Sequence, residues 1–330
     1  MTNNKQQITI LVVGGAGYIG SHMVKMLLGV DYKVVTLDNL SGGYRDAVIG
    51  GEFEYVDLAN KTELERVFKK HQFDAVMHFA SHIQVGESVI KPAIYYENNV
   101  VNTLNLLDVM VEYDVKSFIF SSTAAIFGEP EYTPIDEKHP MNPINPYGRS
   151  KLMVEQILAD YDNAYNLKSI CLRYFNAAGA DPDGLLGERH EPETHLIPLI
   201  LQAASGRRES ISIFGRDYDT PDGTCIRDYI HIVDLCSAHL LALEKLIKEK
   251  KSHAFNLGNG KGFSVQEVID VAREVTGKDI QTANEIRREG DPAILLSDAT
   301  LAREELCWKP QYSELSIIIE HAWQREKRHC

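Results

Sequence analysis

Cysteine, positive charge and long apolar runs are all scarce in this sequence of 330 residues. The five cysteines are an odd number, and no two of them have the short spacing of a zinc knuckle or a redox pair. We therefore expect reduced, structural thiols and no metal site. The net charge of -13 excludes a general attraction to nucleic acid or to an anionic membrane surface. An anionic ligand must be held by local cations and backbone amides.

The lack of long apolar runs argues against a membrane protein, because a membrane span needs roughly 18 to 20 apolar residues. The first residues, MTNNKQQ, also lack the charged start and apolar centre of a signal peptide. We expect a cytoplasmic protein. Hydrophobic residues make up 44% of the chain, which is enough for one large domain with an attached lobe.

Apolar, β-branched runs alternate with segments whose apolar residues are three or four positions apart. The runs are ITILVV, KVVTLDN, FEYVDL, FDAVMHFA, KSFIFSST and SICLRYFN, and the helical segments include KTELERVFKKH and NVVNTLNLLDVMVEY. This alternation predicts an α/β fold with a doubly wound parallel sheet of the Rossmann type.

The amino-acid composition changes after Asn176, where a stretch rich in glycine, proline and charged residues begins. We place the start of a smaller C-terminal lobe there. The later runs RDYIHIVDL and AFNLG are interpreted as returns to the first domain. The expected division is therefore residues 1–176 with returns near 226–258 for the first domain, and residues 177–225 and 259–330 for the lobe.

The stretch GGAGYIGSH directly follows the first apolar run and contains Gly14, Gly17 and Gly20. Glycines between a strand and a helix let backbone amides approach a pyrophosphate. Asp38 ends the next run, where a carboxylate can accept hydrogen bonds from an adenine ribose and would repel the extra phosphate of NADP. Together these features favour NAD binding over a turn that only packs helix on strand. Asp57 either contacts the adenine or is simply solvated at a strand end.

A second motif, NPYGRSKLMVEQIL, places Tyr147 and Lys151 four residues apart at the start of an amphipathic helix. A free tyrosine has a pKa near 10, so a base at neutral pH needs a neighbouring positive charge, which Lys151 supplies. Such a pair alone is usually an exposed helix pair. The strand end FSSTAA supports the functional interpretation, because Thr123 in it can hydrogen-bond a reacting hydroxyl at the ligand-binding edge of the sheet.

These motifs resemble the extended short-chain dehydrogenase/reductase superfamily, and within it the chain is similar to the UDP-glucose 4-epimerases over nearly its whole length. The glycine loop and the Tyr-Lys pair identify only the superfamily. The segments around Asn176, Arg227 and Asp291 indicate a nucleotide-sugar epimerase. The resemblance also includes the segments LDNLSGG, VMHFA, VGESVIKP, FSSTAAIFGEP, LRYFNAAGA, IFGRDYDTPDGTCIRDYIHIVDL and RREGDPA.

The resemblance implies bound NAD, a UDP-sugar substrate, and a catalytic trio formed by Tyr147, Lys151 and Thr123. The residues that it implies for the NAD site, besides the glycines, Tyr147 and Lys151, are Tyr18, Ile19, Asp38, Asn39, Asp57, Leu58, Phe79, Ala80, Asn98 and Phe175. Those that it implies for the UDP part are Asn176, His195, Leu196, Phe214, Arg227, Arg288 and Asp291. Arginine and carboxylate side chains suit a diphosphate and a ribose respectively.

Comparison with the family that the chain resembles identifies three positions that bear on ligand affinity and sugar specificity. Ile83 stands where some relatives carry a lysine near the cofactor phosphates. His195 replaces an asparagine that usually precedes the leucine of the substrate loop, and it can donate the same kind of hydrogen bond. Leu295 aligns with a residue that closes the pocket beside the 2-substituent of the sugar. Its size favours plain sugars over N-acetylated ones.

Other functions remain open at this point. A sugar-nucleotide 4,6-dehydratase would need an acidic pair after the threonine, where this chain has Ala124 and Ala125. A UDP-glucuronate decarboxylase, a UDP-N-acetylglucosamine or UDP-pentose 4-epimerase, and a non-catalytic NAD-sensing scaffold are the further alternatives. The resemblance implies a homodimer, formed through the helices that contain NVVNTLNLLDVMVEY and KLMVEQILADYDNAY.

Overall fold

A computed structural model describes residues 7–288 and 291–328 of the chain. The chain forms two compact units. The first unit contains the residues up to Ser122, Asn145–Leu172 and His239–Ala254. The second unit contains Thr123–Ile144, Arg173–Ala238 and the residues from Phe255 onward.

Strands and helices alternate through most of the chain. The strands are β1 Thr9–Val13, β2 Lys33–Asp38, β3 Glu52–Tyr55, β4 Ala75–His78, β5 Ser117–Ser121, β6 Lys168–Tyr174, β7 Asn176–Ala178, β8 Ile211–Phe214, β9 Ile226–His231, β10 His253–Leu257, β11 Gly262–Ser264, β12 Thr282–Glu285 and β13 Ile294–Leu295. The helices are α1 Tyr18–Gly29, α2 Lys61–Lys70, α3 Val85–Ile90, α4 Pro92–Tyr96, α5 Asn102–Glu112, α6 Pro146–Tyr165, α7 Leu196–Ala204, α8 Ile232–Glu249, α9 Val265–Thr276, α10 Thr300–Glu305 and α11 Leu315–Glu326.

A seven-stranded sheet in the order β10-β6-β5-β4-β1-β2-β3 confirms the predicted Rossmann-type fold. The six apolar runs of the sequence form β1 to β6, which pair in parallel along this order. The order reverses beside β1, because β2 and β3 lie on one side of it and β4 to β6 on the other. Ligands of open α/β sheets bind at such a reversal, outside the carboxyl ends of the strands.

The side chains of β1 and β4 are buried along their whole lengths, as expected for central strands covered on both faces. They contribute to an apolar core with residues of α2, α5 and α6, such as Val67, Leu106 and Val154. A second core lies within the second unit, where α7, α9 and α11 pack together through residues that include Ile200 and Ile269. No helix in the described part of the chain is long and apolar enough to cross a membrane.

The first unit returns at His239–Ala254, which lies between the two runs that were expected to return to the first domain. The run AFNLG forms β10 at the edge of the seven-stranded sheet. The run RDYIHIVDL forms β9, which instead pairs with β7, β11 and β13 in a separate small sheet. Residues 123–144 also belong to the second unit, because Ile135 N–H donates to Leu296 O at 2.8 Å and Asp298 N–H donates to Ile135 O at 2.9 Å.

Replacing Gly20 by alanine should destabilise the first unit. A Cβ atom there would lie 2.1 Å from Gly14 O and 2.8 Å from Gly15 Cα, and backbone atoms cannot yield as a flexible side chain can. Such overpacking costs about 1 to 3 kcal/mol of the free energy of unfolding. Thermal and urea denaturation of Gly20→Ala measure this loss.

The matched control is Gly29→Ala at the other end of the same helix. An added Cβ at Gly29 meets nothing within 4 Å, so this variant should be as stable as the parent or more stable, by up to about 1 kcal/mol. Equal stabilities of the two alanine variants would contradict the assigned role of Gly20 in close packing.

Candidate active site

The glycine loop between β1 and α1 passes very close to its neighbours. Gly14 has a φ of +77° and donates its N–H to Leu37 O at 2.8 Å. A Cβ atom at Gly14 would lie 2.4 Å from Ala80 N, so the loop reaches the end of β4 only because residue 14 is glycine. At Gly17, the N-cap of α1, an added Cβ meets only Gly14 O, at 3.4 Å. The helix start therefore has room for a group that approaches its backbone.

Asp38 is fixed at the end of β2 by two backbone amides. Its Oδ2 accepts from Ala16 N–H at 3.0 Å, and its Oδ1 accepts from Leu40 N–H at 2.8 Å. Burial raises the pKa of Asp38, and these two hydrogen bonds only partly oppose the rise. Beyond β2, Asn39 Nδ2 donates to Asp57 Oδ2 at 2.7 Å. The structure therefore groups three of the predicted polar residues of the NAD site at the carboxyl ends of β2 and β3.

The first unit fits a dinucleotide on these observations. The helix start with its glycine N-cap suits a pyrophosphate, because a side chain there would occupy the space that the phosphates need. Carboxylates at the ends of β2 and β3 suit the hydroxyls of a ribose and the amine of an adenine. The remaining predicted residues of this unit follow the same sheet edge or line the helix start: Tyr18 and Ile19 begin α1, Leu58 follows β3, and Phe79 and Ala80 follow β4. Phe175 lies in the second unit, between β6 and β7.

Tyr147 and Lys151 lie in the first turns of α6, which begins as predicted. Pro146 is its first residue, and the side chain of Asn145 caps it by accepting from Gly148 N–H at 2.8 Å. Lys151 is only 3% exposed, and its Nζ donates to Ser121 O at 2.8 Å. Burial lowers the pKa of Lys151 to about 7, although the charge of nearby Glu155 opposes the change.

Asn99 is a supporting residue of this region that sequence reasoning missed. It lies with Asn98 in a π-helical turn, Glu97–Val101, between α4 and α5. Asn99 Nδ2 donates to Ser150 Oγ at 3.0 Å, and Ser150 Oγ donates to Tyr147 O at 2.7 Å. Asn98 Nδ2 donates to Asn99 Oδ1 at 3.0 Å. A predicted cofactor residue and the helix of Tyr147 are thus linked, and no apolar periodicity could have indicated this link.

Thr123, the third member of the expected trio, follows β5 and begins a stretch of the second unit. Its side chain is 7% exposed, and Oγ1 accepts from Ala125 N–H at 3.1 Å. This bond caps the short 3-10 helix Ala124–Ile126. Because Oγ1 accepts this bond, its own O–H remains a donor for a ligand oxygen.

A pocket of about 340 Å³ within the second unit contains the predicted UDP residues. The predicted residues that line it are Asn176, His195, Leu196, Phe214, Arg227, Arg288 and Asp291. They come from β7, α7, β8, β9 and the segment before β13, so the fold brings together residues that are more than a hundred positions apart. This convergence is what the resemblance required.

The charges in this pocket are held by specific contacts. Arg227 Nη2 forms an ion pair with Asp291 Oδ1, and its Nη1 donates to Ile226 O at 2.8 Å. The guanidinium of Arg288 lies 3.8 Å above the ring of Phe214. Two cations, each oriented by a neighbour, thus line one cavity and provide local positive charge there, although the net charge of the chain is -13.

The pocket lining also contains residues that were not predicted, among them an arginine and a tyrosine. Arg208 adds a third guanidinium to the lining. Tyr229 lies two positions after Arg227 on β9, and burial raises the pKa of its phenol. Since residues two apart on a strand point to the same face, the period of β9 was the signal that could have found Tyr229. Leu295, in β13, is the register partner of Arg227 in β9, but Leu295 itself is not one of the residues that line the pocket.

His195 faces a cluster of charged side chains rather than a plain pocket wall. Its Nδ1 lies 2.8 Å from Glu188 Oε1 and 3.1 Å from Glu193 Oε1, and His190 Nδ1 lies 3.3 Å from Glu188 Oε1. Burial by itself lowers the pKa of each imidazole, but the two carboxylates outweigh it and raise the pKa of both histidines. Residues 188–195 repeat the pattern Glu-x-His, a signal of candidate metal ligands that cysteine spacing does not reveal.

Comparisons with known proteins agree with this geometry. The model of the NAD dependent epimerase/dehydratase family matches residues 10–258. A UDP-glucose 4-epimerase of Halalkalibacterium halodurans is 52% identical over 322 residues, which cover 98% of this chain and 96% of the relative. The solved UDP-glucose 4-epimerase of Brucella ovis in complex with NAD is 49% identical, with a TM-score of 0.94 and coverage of 96% and 97%. The UDP-Glc/GlcNAc 4-epimerase of Campylobacter jejuni is 46% identical, with a TM-score of 0.86 and coverage of 97% and 99%.

The buried position of Lys151 predicts a pH dependence of stability. Its pKa is about 7 in the folded chain and about 10.4 in an unfolded one, so between these values the unfolded chain binds the additional proton. This lysine therefore makes the free energy of unfolding rise with pH over that range. From pH 7 to pH 9 the parent should gain about 1 to 2 kcal/mol relative to Lys151→Met. Urea denaturation of both proteins, at equal cofactor content, measures the difference.

A suitable control is Lys261→Met, since the Lys261 side chain is 60% exposed in the folded protein. This variant should follow the parent at both pH values. A difference between the parent and Lys151→Met that stays constant from pH 7 to pH 9 would count against a buried, proton-shedding lysine.

Proposed function

Because the chain belongs to the NAD dependent epimerase/dehydratase family, we propose that it interconverts UDP-galactose and UDP-glucose by inverting one sugar carbon. It is an NAD-dependent epimerase, and the intermediate is a 4-keto sugar. The observation that carries the proposal is the pocket with three arginines in the second unit, in a chain that is about half identical to UDP-glucose 4-epimerases over nearly its full length.

The residues of the first unit hold the cofactor. Gly14, Gly17 and Gly20 allow the start of α1 to approach the pyrophosphate, and Asp38 accepts from the adenine ribose. Asn39 and Asp57 contact the adenine end. When bound, NAD would supply a reversible acceptor for the hydride of the sugar, so the reaction would need no net oxidant.

Tyr147 is the base in this proposal. Its phenolate accepts the proton of the 4-hydroxyl, either directly or through Thr123, whose O–H relays it. Lys151 lies one helical turn further along the same face of α6, and in its protonated form its positive charge favours the phenolate. When the ketone is reduced again, Tyr147 returns the proton to the same oxygen.

The residues of the second unit hold the UDP part. Arg227 and Arg288 contact the diphosphate, Asp291 accepts from the uridine ribose, and Asn176 bonds a phosphate or the sugar. Inversion requires that the keto sugar rotate after it has lost the hydride, so that it regains the hydride on its opposite face. Strong contacts to the nucleotide and few contacts to the sugar allow this rotation.

We propose a cytoplasmic homodimer as the working form. Cys171, Cys225, Cys236 and Cys307 are free thiols, which suits a reducing compartment. The proposed dimer forms through α5 and α6, where Tyr161 OH donates to Asp108 Oδ1 at 2.6 Å. Exposed apolar side chains beside and along these helices, Val101, Met153 and Tyr165, support an interface there.

The protein should convert UDP-galactose to UDP-glucose without added NAD, because a redox-neutral cycle gains nothing by releasing its cofactor. Product formation is followed by chromatography of the two nucleotide sugars, and denaturation should release NAD from the purified protein. Tyr147→Phe should lose about two to four orders of magnitude in turnover, the usual effect of losing an acid/base group, while it still binds UDP. Full activity of Tyr147→Phe, or a need for fresh NAD at every turnover, would refute this mechanism.

Leu295 should make UDP-N-acetylglucosamine a poor substrate. The leucine fills the space beside the sugar 2-substituent and offers no hydrogen bond to an acetamido group, and such crowding costs on the order of 1 to 3 kcal/mol. Leu295→Ser should recover part of the kcat/KM for the acetylated sugars. The likeness to an enzyme named for both UDP-Glc and UDP-GlcNAc makes this comparison necessary. Equal kcat/KM values of the parent for plain and acetylated sugars would remove this role from Leu295 and leave the epimerase proposal intact.

A further inference from the structure

Four side chains before α7 converge on one point, and we call them the His-Glu cluster: Glu188, His190, Glu193 and His195. Each offers one nitrogen or oxygen atom, and these atoms all lie within 4.8 Å of one another. The two glutamate side chains are only 7% and 6% exposed. Two carboxylates withdrawn from water in this way need a cation beside them.

Ion pairing alone leaves part of the cluster unsatisfied. Nδ1 of His190 is buried and has no hydrogen-bond partner, although it lies 3.3 Å from Glu188 Oε1 and 3.6 Å from Glu193 Oε2. This nitrogen therefore lies near two carboxylate oxygens, but its geometry with them is not that of a hydrogen bond. A metal ion between the four side chains satisfies this geometry, because each ligand atom then points at the ion rather than at another ligand.

The distances and the donor set favour zinc. Bonds of about 2.0 to 2.2 Å in a tetrahedron place ligand atoms roughly 3.3 to 3.6 Å apart. The contacts of His190 Nδ1 and His195 Nδ1 with the carboxylates run from 2.8 to 3.6 Å, and all four ligand atoms lie within 4.8 Å of one another. Two imidazoles and two carboxylates suit Zn²⁺ better than Mg²⁺ or Ca²⁺, which prefer oxygen ligands. Four protein ligands complete the coordination, so the site is structural.

We propose that Glu188, His190, Glu193 and His195 bind one Zn²⁺ ion per chain. The ion ties the segment 188–195 to the start of α7, whose N-cap is His195. It thereby fixes two residues of the pocket lining, His195 and Leu196.

Ligation also assigns the tautomer of His195. When Nδ1 binds the metal, the proton of the neutral ring is on Nε2, which becomes a hydrogen-bond donor. His195 lines the pocket, so this N–H can donate to a ligand there, as the amide of an asparagine would. This consequence rests on the proposed UDP site, whereas zinc binding itself does not.

Metal analysis of the full-length protein tests the proposal. The protein, freed of any histidine tag and dialysed against metal-free buffer, should retain about one zinc per chain by mass spectrometry of the metals. A strong chelator should remove the ion and lower the melting temperature by several degrees, and Zn²⁺ alone should restore both values. Replacement by Co²⁺ should give the visible absorption of a tetrahedral cobalt site.

Variants locate the site. His190→Ala and Glu188→Gln should each lower the zinc content at least tenfold. His253→Gln, which changes a histidine 3.8 Å from Glu249 outside the cluster, should keep the zinc content of the parent. If either cluster variant fails to fold, the chelator and cobalt measurements on the parent still decide. A folded parent with no stoichiometric metal and no thermal response to Zn²⁺ would mean an ion-pair network only, whatever its epimerase activity.

Discussion

The contact of the glycine loop with its own helix and with the end of β4 constrains the whole binding edge of the first unit. Gly14 and Gly20 lie so close to backbone atoms that neither position has room for a methyl group. This closeness brings the start of α1 to the place where the strand order reverses, between β1 and β4. Asp38, held by the amides of Ala16 and Leu40, then faces the same edge. The position of one loop thus determines where a dinucleotide can lie.

Periodic patterns in the sequence predicted the fold, whereas contacts between polar side chains that meet in the folded chain were not predicted. The runs that became β1 to β6 were recognised because buried parallel strands are continuously apolar and are separated by helical periods. The run RDYIHIVDL was expected to return to the first domain, but it forms β9 of the small sheet, because an apolar strand looks the same whichever partners it pairs with. The link of Asn99 to Ser150 joins polar side chains 51 positions apart, for which a sequence carries no period. The His-Glu cluster does have a local pattern, Glu-x-His repeated within residues 188–195, but apolar periodicity does not reveal it.

The candidate site was predicted through resemblance more than through chemistry. Arg227 and Arg288 look like ordinary surface arginines until the fold places both on one pocket. The ion pair with Asp291 and the stacking on Phe214 then hold their charges in fixed directions. An acidic chain can in this way bind a doubly anionic nucleotide without a basic surface.

The edge position of β10 has a consequence for synthesis on the ribosome. This strand lies beside β6 in the sheet, but it is translated some eighty residues later, after β7, β9 and α8. During this interval the nascent chain exposes the open edge of β6, which can pair with the edge of another chain. The edge of β6 therefore has no partner strand while residues 175–252 are translated, and β10 covers it only afterwards.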